Sequence, residues 1–325
     1  MSYQDRINNQ LNQYADPVQL VKLPPIYHYW MKKHVIPKIE SVFQVNNALD
    51  FYVGNIVKIF KKNGNKKQIL SIGSGDCQLE IKIAKKIKET GCSNFRIECD
   101  DISPIRLERG YELAQKEGLT NFLSFKTNDI NSICLNEEYS VILAHHSLHH
   151  IVELENLFDH IQSSLTENGR FLTIDMIGRN GHMRWPEALK IIESLWTILP
   201  EDYKFNHQFN ALHKTFPNWD CSQKGFEGIR SQDILPLLLQ NFTAEFFFAY
   251  GNIIDIFIER GYGHNFDINC DKDLRYIDFI ELLNDTLINS GYLKPTIMWG
   301  VFGPHTKVKE QKYYKNRSAQ YSVRQ

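Results

Sequence analysis

Ile69-Leu70-Ser71-Ile72-Gly73-Ser74-Gly75-Asp76-Cys77 is the stretch that decides the fold. Gln68 to Ile72 reads as a strand buried on both faces, because it is a short apolar run bounded by polar turns. The run breaks on Gly73 and Gly75, and Cys77 to Thr90 has helical periodicity. The same rhythm continues outward. Phe95 to Cys99 reads as a strand, Pro104 to Glu117 as a helix and Leu123 to Thr127 as a third strand. Ser140 to Ala144 is a fourth strand, followed by a helix from about Glu153 to Leu165. Glu167-Asn168-Gly169 then turns into a fifth strand, Arg170 to Asp175. Strands alternating with helices imply a parallel sheet with helices on both faces.

Upstream, residues 1–60 read as helical, and Lys61 to Lys67 as a polar break. Downstream, residues 177–240 are aromatic and histidine-bearing with helical pieces. Phe242 to Tyr250 and Thr296 to Phe302 read as strands around a helix from Leu274 to Ser290. The expected organisation is a helical cap segment 1–60, a core 61–176, a helical cap insertion 177–240, a completion of the sheet 241–306 and a basic, flexible tail 307–325.

The chain has 325 residues, 42% of them hydrophobic, enough for one large core with a cap. Its formal net charge of −1 gives no reason to expect nucleic acid as a partner. The last 19 residues hold six Lys and Arg against one Glu, leaving residues 1–306 at −6. That tail reads as a solvated end, or as a docking or membrane-surface segment. The six cysteines form no CxxC pair, so reduced thiols in a cytoplasmic protein are expected. No apolar run approaches the roughly 18–20 residues a membrane span needs.

In doubly wound sheets ligands bind beyond the carboxyl ends of the strands. Gly73 and Gly75 let a ligand approach the backbone at the end of the first strand. Asp101 ends the second strand, 28 residues beyond Gly73, where a carboxylate can hold a ribose diol. Asn128-Asp129-Ile130 follows the third strand and sets a carboxylate to meet an adenine amino group. The third glycine of a dinucleotide GxGxxG is absent.

These residues resemble the class I S-adenosylmethionine-dependent methyltransferases over about residues 66–177. Ile69 to Gly75 is similar to the glycine-rich first motif, Asp101-Ile102-Ser103-Pro104 to the ribose turn and Asn128-Asp129 to the adenine turn. Tyr139 to His150 resembles the fourth strand with its trailing loop, and Leu165 to Leu172 the entry to the fifth. The resemblance implies a doubly wound, seven-stranded, Rossmann-like α/β sheet with a mostly α-helical cap, and S-adenosyl-L-methionine as cofactor. It implies cofactor contacts from Ser71, Gly73, Gly75, Asp101, Ile102, Asp129, Ile130 and His145. An acid is common in the family where Ser71 stands, and a glycine where Cys77 stands. A second resemblance, to a bacterial subgroup with a helical cap, runs through Asp175 to Pro186, Leu199-Pro200-Glu201 and Gly228 to Ser231. It offers Trp185, Glu227 and Arg230, with His150, as acceptor-pocket residues.

Methyl transfer is an in-line displacement, so the protein mainly positions its substrates. An oxygen or nitrogen acceptor must also lose a proton, and His149 and His146 are the first candidates for the base. Packing against the following helix is the alternative role for His149 and His150. The spacing of these histidines includes no HExxH and no nearby cysteine, so no metal is expected. The expected function is methylation of a small or medium-sized acceptor. A macromolecular acceptor and a non-catalytic cofactor-binding protein are the two rivals, and the oligomeric state stays open.

Overall fold

A computed structural model describes residues 1–15, 22–64, 67–132, 135 and 137–324. Cys134 and the start of the apolar N-terminal stretch, residues 18–21, lie outside the described residues. The chain opens with α1 (Tyr3–Ala15), α2 (Pro25–Trp30), α3 (Ile36–Phe43) and α4 (Ala48–Lys62). A π-helical turn, Met31–Val35, joins α2 to α3. Pro37 lies just beyond it and has no N–H to continue the α register.

The repeating unit then begins: β1 (Gln68–Ile72), α5 (Gln78–Glu89), β2 (Arg96–Asp101), α6 (Pro104–Lys116), β3 (Leu123–Thr127), β4 (Tyr139–His145), α7 (Leu154–Ser164) and β5 (Leu165–Met176). The second half adds α8 (Pro186–Ile198), a small hairpin of β6 (Phe205–Asn206) and β7 (Ala211–Leu212), α9 (Ser231–Asn241) and β8 (Phe242–Tyr250). It closes with α10 (Asp255–Ile258), α11 (Asp271–Asn289), β9 (Ile297–Pro304), β10 (Lys312–Tyr313) and α12 (Ala319–Ser322).

The main sheet runs β10-β8-β9-β5-β4-β1-β2-β3. Strands β1 to β5 are parallel, and β9 pairs antiparallel with β5 and β8. Successive strand residues feed opposite faces, as a pleated strand must. Ile69, Val141 and Leu143 pack with α4 and α5, whereas Leu70, Ile142 and Ala144 pack with α7 and α9. The order reverses between β1 and β4, which opens a cleft at their carboxyl ends.

Three features differ from the sequence reading. Among the described residues the sheet has eight strands rather than seven, because Lys312–Tyr313 adds a parallel edge strand to β8. The basic tail is anchored at its far end rather than free: Lys307 to Asn316 is mostly exposed, but Arg317 is fully buried, bonded to Asp285 and to Asn289 Oδ1 at 3.0 Å, with its guanidinium over the Tyr314 ring. The helices expected only as a cap divide between roles. α4 and α9 cover opposite faces of the sheet, while α1 lies across the cleft.

Candidate active site

A cavity of about 460 Å³ opens at the carboxyl ends of β1, β2, β3 and β4, within the usual size range for small-molecule sites. Gly73 turns out of β1 with φ +68°; a Cβ there would sit 2.5 Å from the Ser147 Cβ. Only glycine fits, because the turn after β4 crosses against this backbone. Ser147 Oγ donates to the Ile72 carbonyl at 2.8 Å and latches the two strand ends together.

The acids at the end of β2 divide the work. Asp101 accepts from the Gly75 N–H at 2.8 Å and the Ser103 N–H at 2.9 Å, so it braces the glycine loop while touching the cavity. Asp100 accepts from Asn128 Nδ2 at 2.6 Å, and its Oδ1 is buried with no partner among the described residues. Burial pushes Asp100 up to about 7 against the Asn128 bond. A buried, unpartnered carboxylate oxygen on the wall fits a ligand hydroxyl.

Ser71 and Gly75 stand behind the wall. Ser71 Oγ donates to Glu80 Oε1 at 2.6 Å. Burial pushes Glu80 up to about 7, and its Oε2 has no partner among the described residues. Glu80 thus brings a carboxyl from α5 to the strand position where the sequence has only a serine. Cys77 takes φ +54°, a conformation that favours glycine. Gly110 of α6 makes room for it, since a Cβ there would lie 2.8 Å from the Cys77 Sγ.

Asp129 and Ile130 line the cavity after β3. Asp129 Oδ2 accepts from the Tyr3 hydroxyl at 2.6 Å, so α1 closes over this corner. Arg6 Nη1 bonds the Ser222 and Gly225 carbonyls, and Asn9 Nδ2 the Lys224 carbonyl at 2.8 Å. Gln10, His150 and Phe226 line both this cavity and a neighbouring chamber of about 430 Å³ that Glu227 also borders.

The histidines after β4 have unlike environments. His145 Nδ1 lies 3.2 Å from the Tyr52 hydroxyl, and burial followed by the charge of His146 lowers it to about 3. His146 takes φ +51° and stands on the wall with its ring open to the cavity. Desolvation lowers it from the ordinary histidine value. His150 is lowered to about 3 by burial and then by His149.

His149 lies behind the cavity wall. Its Nδ1 is 2.6 Å from Asp175 Oδ1. Burial alone would lower it, but the charge and hydrogen bond of Asp175, followed by Glu227, push it up to about 10. Asp175 also accepts from the Ser147 and Leu148 N–H groups at 2.9 and 2.8 Å and the Met176 N–H at 2.8 Å. Burial raises Asp175, but the charge and hydrogen bond of His149 bring it to about 2.

The structure therefore gathers Gly73, Asp101, Ile102, Asp129, Ile130, His145, His146 and His150 around one cavity. Trp185 and Arg230 line neither chamber. Trp185 lies between the guanidiniums of Arg179 and Arg324. Arg230 is neutralised by Glu155 and Asp233 and bonds the Val152 carbonyl. Sequence reasoning passed over Asp100, Glu80 and Asp175 as site residues. Asp175 carried a signal: it ends the strand beside β4, next to the histidine loop.

A family described as Methyltransferase domain matches residues 63–217. That stretch thus matches a methyltransferase domain, which implies S-adenosylmethionine as cofactor. No curated protein matches the chain in sequence. Among solved structures, the chain is similar to a geranyl diphosphate C-methyltransferase from Streptomyces coelicolor A3(2), at 8% identity over 94% of this chain and 100% of that one, TM-score 0.49. It is also similar to the StiE O-MT, residues 961–1257, at 12% identity over 88% and 84% of the chains, TM-score 0.47. A putative sarcosine dimethylglycine methyltransferase from Galdieria sulphuraria is similar at 13% identity over 78% and 84%, TM-score 0.44. Among the described residues no helix is long and apolar enough to cross a membrane.

Proposed function

We propose that this protein methylates an oxygen or nitrogen of a small or medium-sized acceptor, in the cytoplasm, with His146 as the base. The observation that carries the reading is the position of His146. Its ring opens into the cavity that the Gly73 turn and the acids after β2 and β3 also line. When bound, S-adenosylmethionine supplies a methyl group activated on a sulfonium. Gly73 leaves room for it beside Ser147, Asp101 and Asp100 face its ribose, and Asp129 faces its adenine. The acceptor enters through the chamber beside Phe226 and Glu227, and His146 Nδ1 or Nε2 takes its proton. His149, protonated between two carboxylates, holds the loop rather than acting as the base.

The test is transfer of labelled methyl to a panel of hydroxyl, carboxyl and amine acceptors. His146→Gln is expected to lower kcat about 100-fold, with cofactor affinity unchanged. An unchanged rate removes His146 from the chemistry. Failure to bind S-adenosylmethionine at millimolar concentration in calorimetry overturns the whole reading.

A further inference from the structure

Three turns far apart in sequence bring two imidazoles and a carboxylate to one point behind the histidine loop. His149 lies in the turn Leu148–His150, His182 in the turn Asn180–His182, and Glu227 in the loop before α9. His182 Nε2 is 2.8 Å from Glu227 Oε1, and His149 Nε2 is 3.5 Å from the same oxygen. The three ligand atoms all lie within 4.8 Å of one another. A tetrahedral cation with bonds of about 2.0–2.1 Å spaces its ligand atoms roughly 3.3 Å apart. The two Glu227 contacts bracket that spacing, and the two imidazole nitrogens lie within 4.8 Å of each other.

The cluster is built rather than adventitious. The Gly181 N–H donates to the Gly228 carbonyl at 2.8 Å, which ties the His182 turn to the Glu227 loop. The Ile229 N–H donates to the His149 carbonyl at 3.0 Å, which ties that loop to the β4 turn. The contact at Gly228 leaves no room for a side chain: a Cβ would lie 3.0 Å from the His182 nitrogen. His182 itself is held at φ +55°, a conformation that persists only where the surroundings enforce it. Asp175 grips His149 Nδ1 and so presents Nε2 to the cluster, the outer-shell arrangement that orients metal-bound imidazoles. With Asp175 and Glu227 on opposite sides of one buried ring, the local field favours a cation.

We propose that His149, His182 and Glu227 bind one divalent transition-metal ion, with Asp175 orienting His149, which releases its Nε2 proton to solvent as the metal binds. Two imidazoles and one carboxylate suit zinc(II), iron(II) or manganese(II) and leave coordination positions open. Glu227 borders the chamber beside Phe226. The open positions there take an oxygen of the acceptor, and this last point rests on the acceptor reading above.

The experiment uses the untagged full-length protein, stripped with chelator and titrated with Co2+ by calorimetry and visible absorption. One equivalent is expected to bind with the absorption of a nitrogen- and oxygen-ligated site, and Zn2+ should displace it. His182→Ala and Glu227→Gln should each weaken binding by about 100-fold. Both side chains are partly exposed, so thermal melts should show the variants folded. No Co2+ uptake by the wild-type protein, or equal uptake by folded variants, overturns the site. S-adenosylmethionine binding is measured on the same samples. Cofactor binding without metal uptake removes only the metal site, and metal uptake without cofactor binding removes only the methyltransferase reading.

Discussion

At the proposed cofactor end of the cleft the wall is made at the ends of strands, whereas at the proposed acceptor end it is made of loops. Gly73, Asp100, Asp101 and Asp129 each lie within two residues of the carboxyl end of β1, β2 or β3. Their placement follows once the parallel sheet forms. His149, His182 and Glu227 meet only after three separate turns pack together, and one buried acid, Asp175, anchors the cluster. The first end should tolerate the loss of a side chain better than the loss of backbone room. The second should depend on a single buried charge.

Asp175→Asn is the strongest way to break that contrast. It removes the charge that holds protonated His149 and sets an amide against N–H donors from Ser147, Leu148 and Met176. Breaking one partner of a buried ion pair costs about 3–5 kcal/mol, and urea unfolding should show a loss of that size. Gly73→Ala comes next. The left-handed backbone costs about 1–2 kcal/mol, and the added methyl must displace Ser147. Turnover should fall by about 100-fold, as expected for a misplaced substrate, in a steady-state assay. If Gly73→Ala destabilises the fold more than Asp175→Asn, the contrast between the two ends is reversed.

Much of the strand-end wall was legible in the sequence because strand order and turn chemistry are local signals. Gly73, Asp101 and Asp129 could be placed at the ends of three successive runs. The two departures from the family pattern each meet a neighbour that is distant in sequence. Glu80 comes to Ser71 from α5, and Gly110 yields room to Cys77 from α6. No spacing rule links those pairs, since each is set by how a helix lies on the sheet. The acceptor end was hardly legible for the same reason. Arg230 looked available as a pocket cation, yet a helix start and a neighbouring helix supply the two acids that neutralise it.

Glu80 sharpens the view of the cofactor end through pH. Burial raises it to about 7 in the folded chain, above its ordinary 4.5. A raised acid adds stability that is fully present below about 4.5 and is lost as pH climbs through about 7. Glu80→Gln keeps an acceptor for the Ser71 hydroxyl and removes the titration. The variant should match the wild type near the acid end of that window and exceed it by about 2 kcal/mol on the alkaline side. Denaturant titrations across the window, without cofactor, measure the difference. A variant less stable than the wild type at alkaline pH would mean that Glu80 is held ionised.

Tyr3 touches both ends, so its removal asks whether they are gated together. Its hydroxyl bonds Asp129 at the adenine corner, and its ring meets Phe226, 5.4 Å between centroids, beside the acceptor chamber. Arg6 fastens the same helix to the Ser222 and Gly225 carbonyls. α1 thus touches both ends, and an opening of α1 would uncover them together. Tyr3→Phe keeps the ring contact and loses one partly exposed bond to a carboxylate, worth about 1 kcal/mol. That shifts the open fraction of α1 roughly fivefold. Opening precedes both entry and exit, so association and dissociation of S-adenosylmethionine should both quicken about fivefold in stopped flow, with little change in Kd. Faster dissociation alone would mean that Tyr3 grips the bound cofactor rather than the empty gate. Unchanged rates would make α1 a fixed wall and leave the two ends independent.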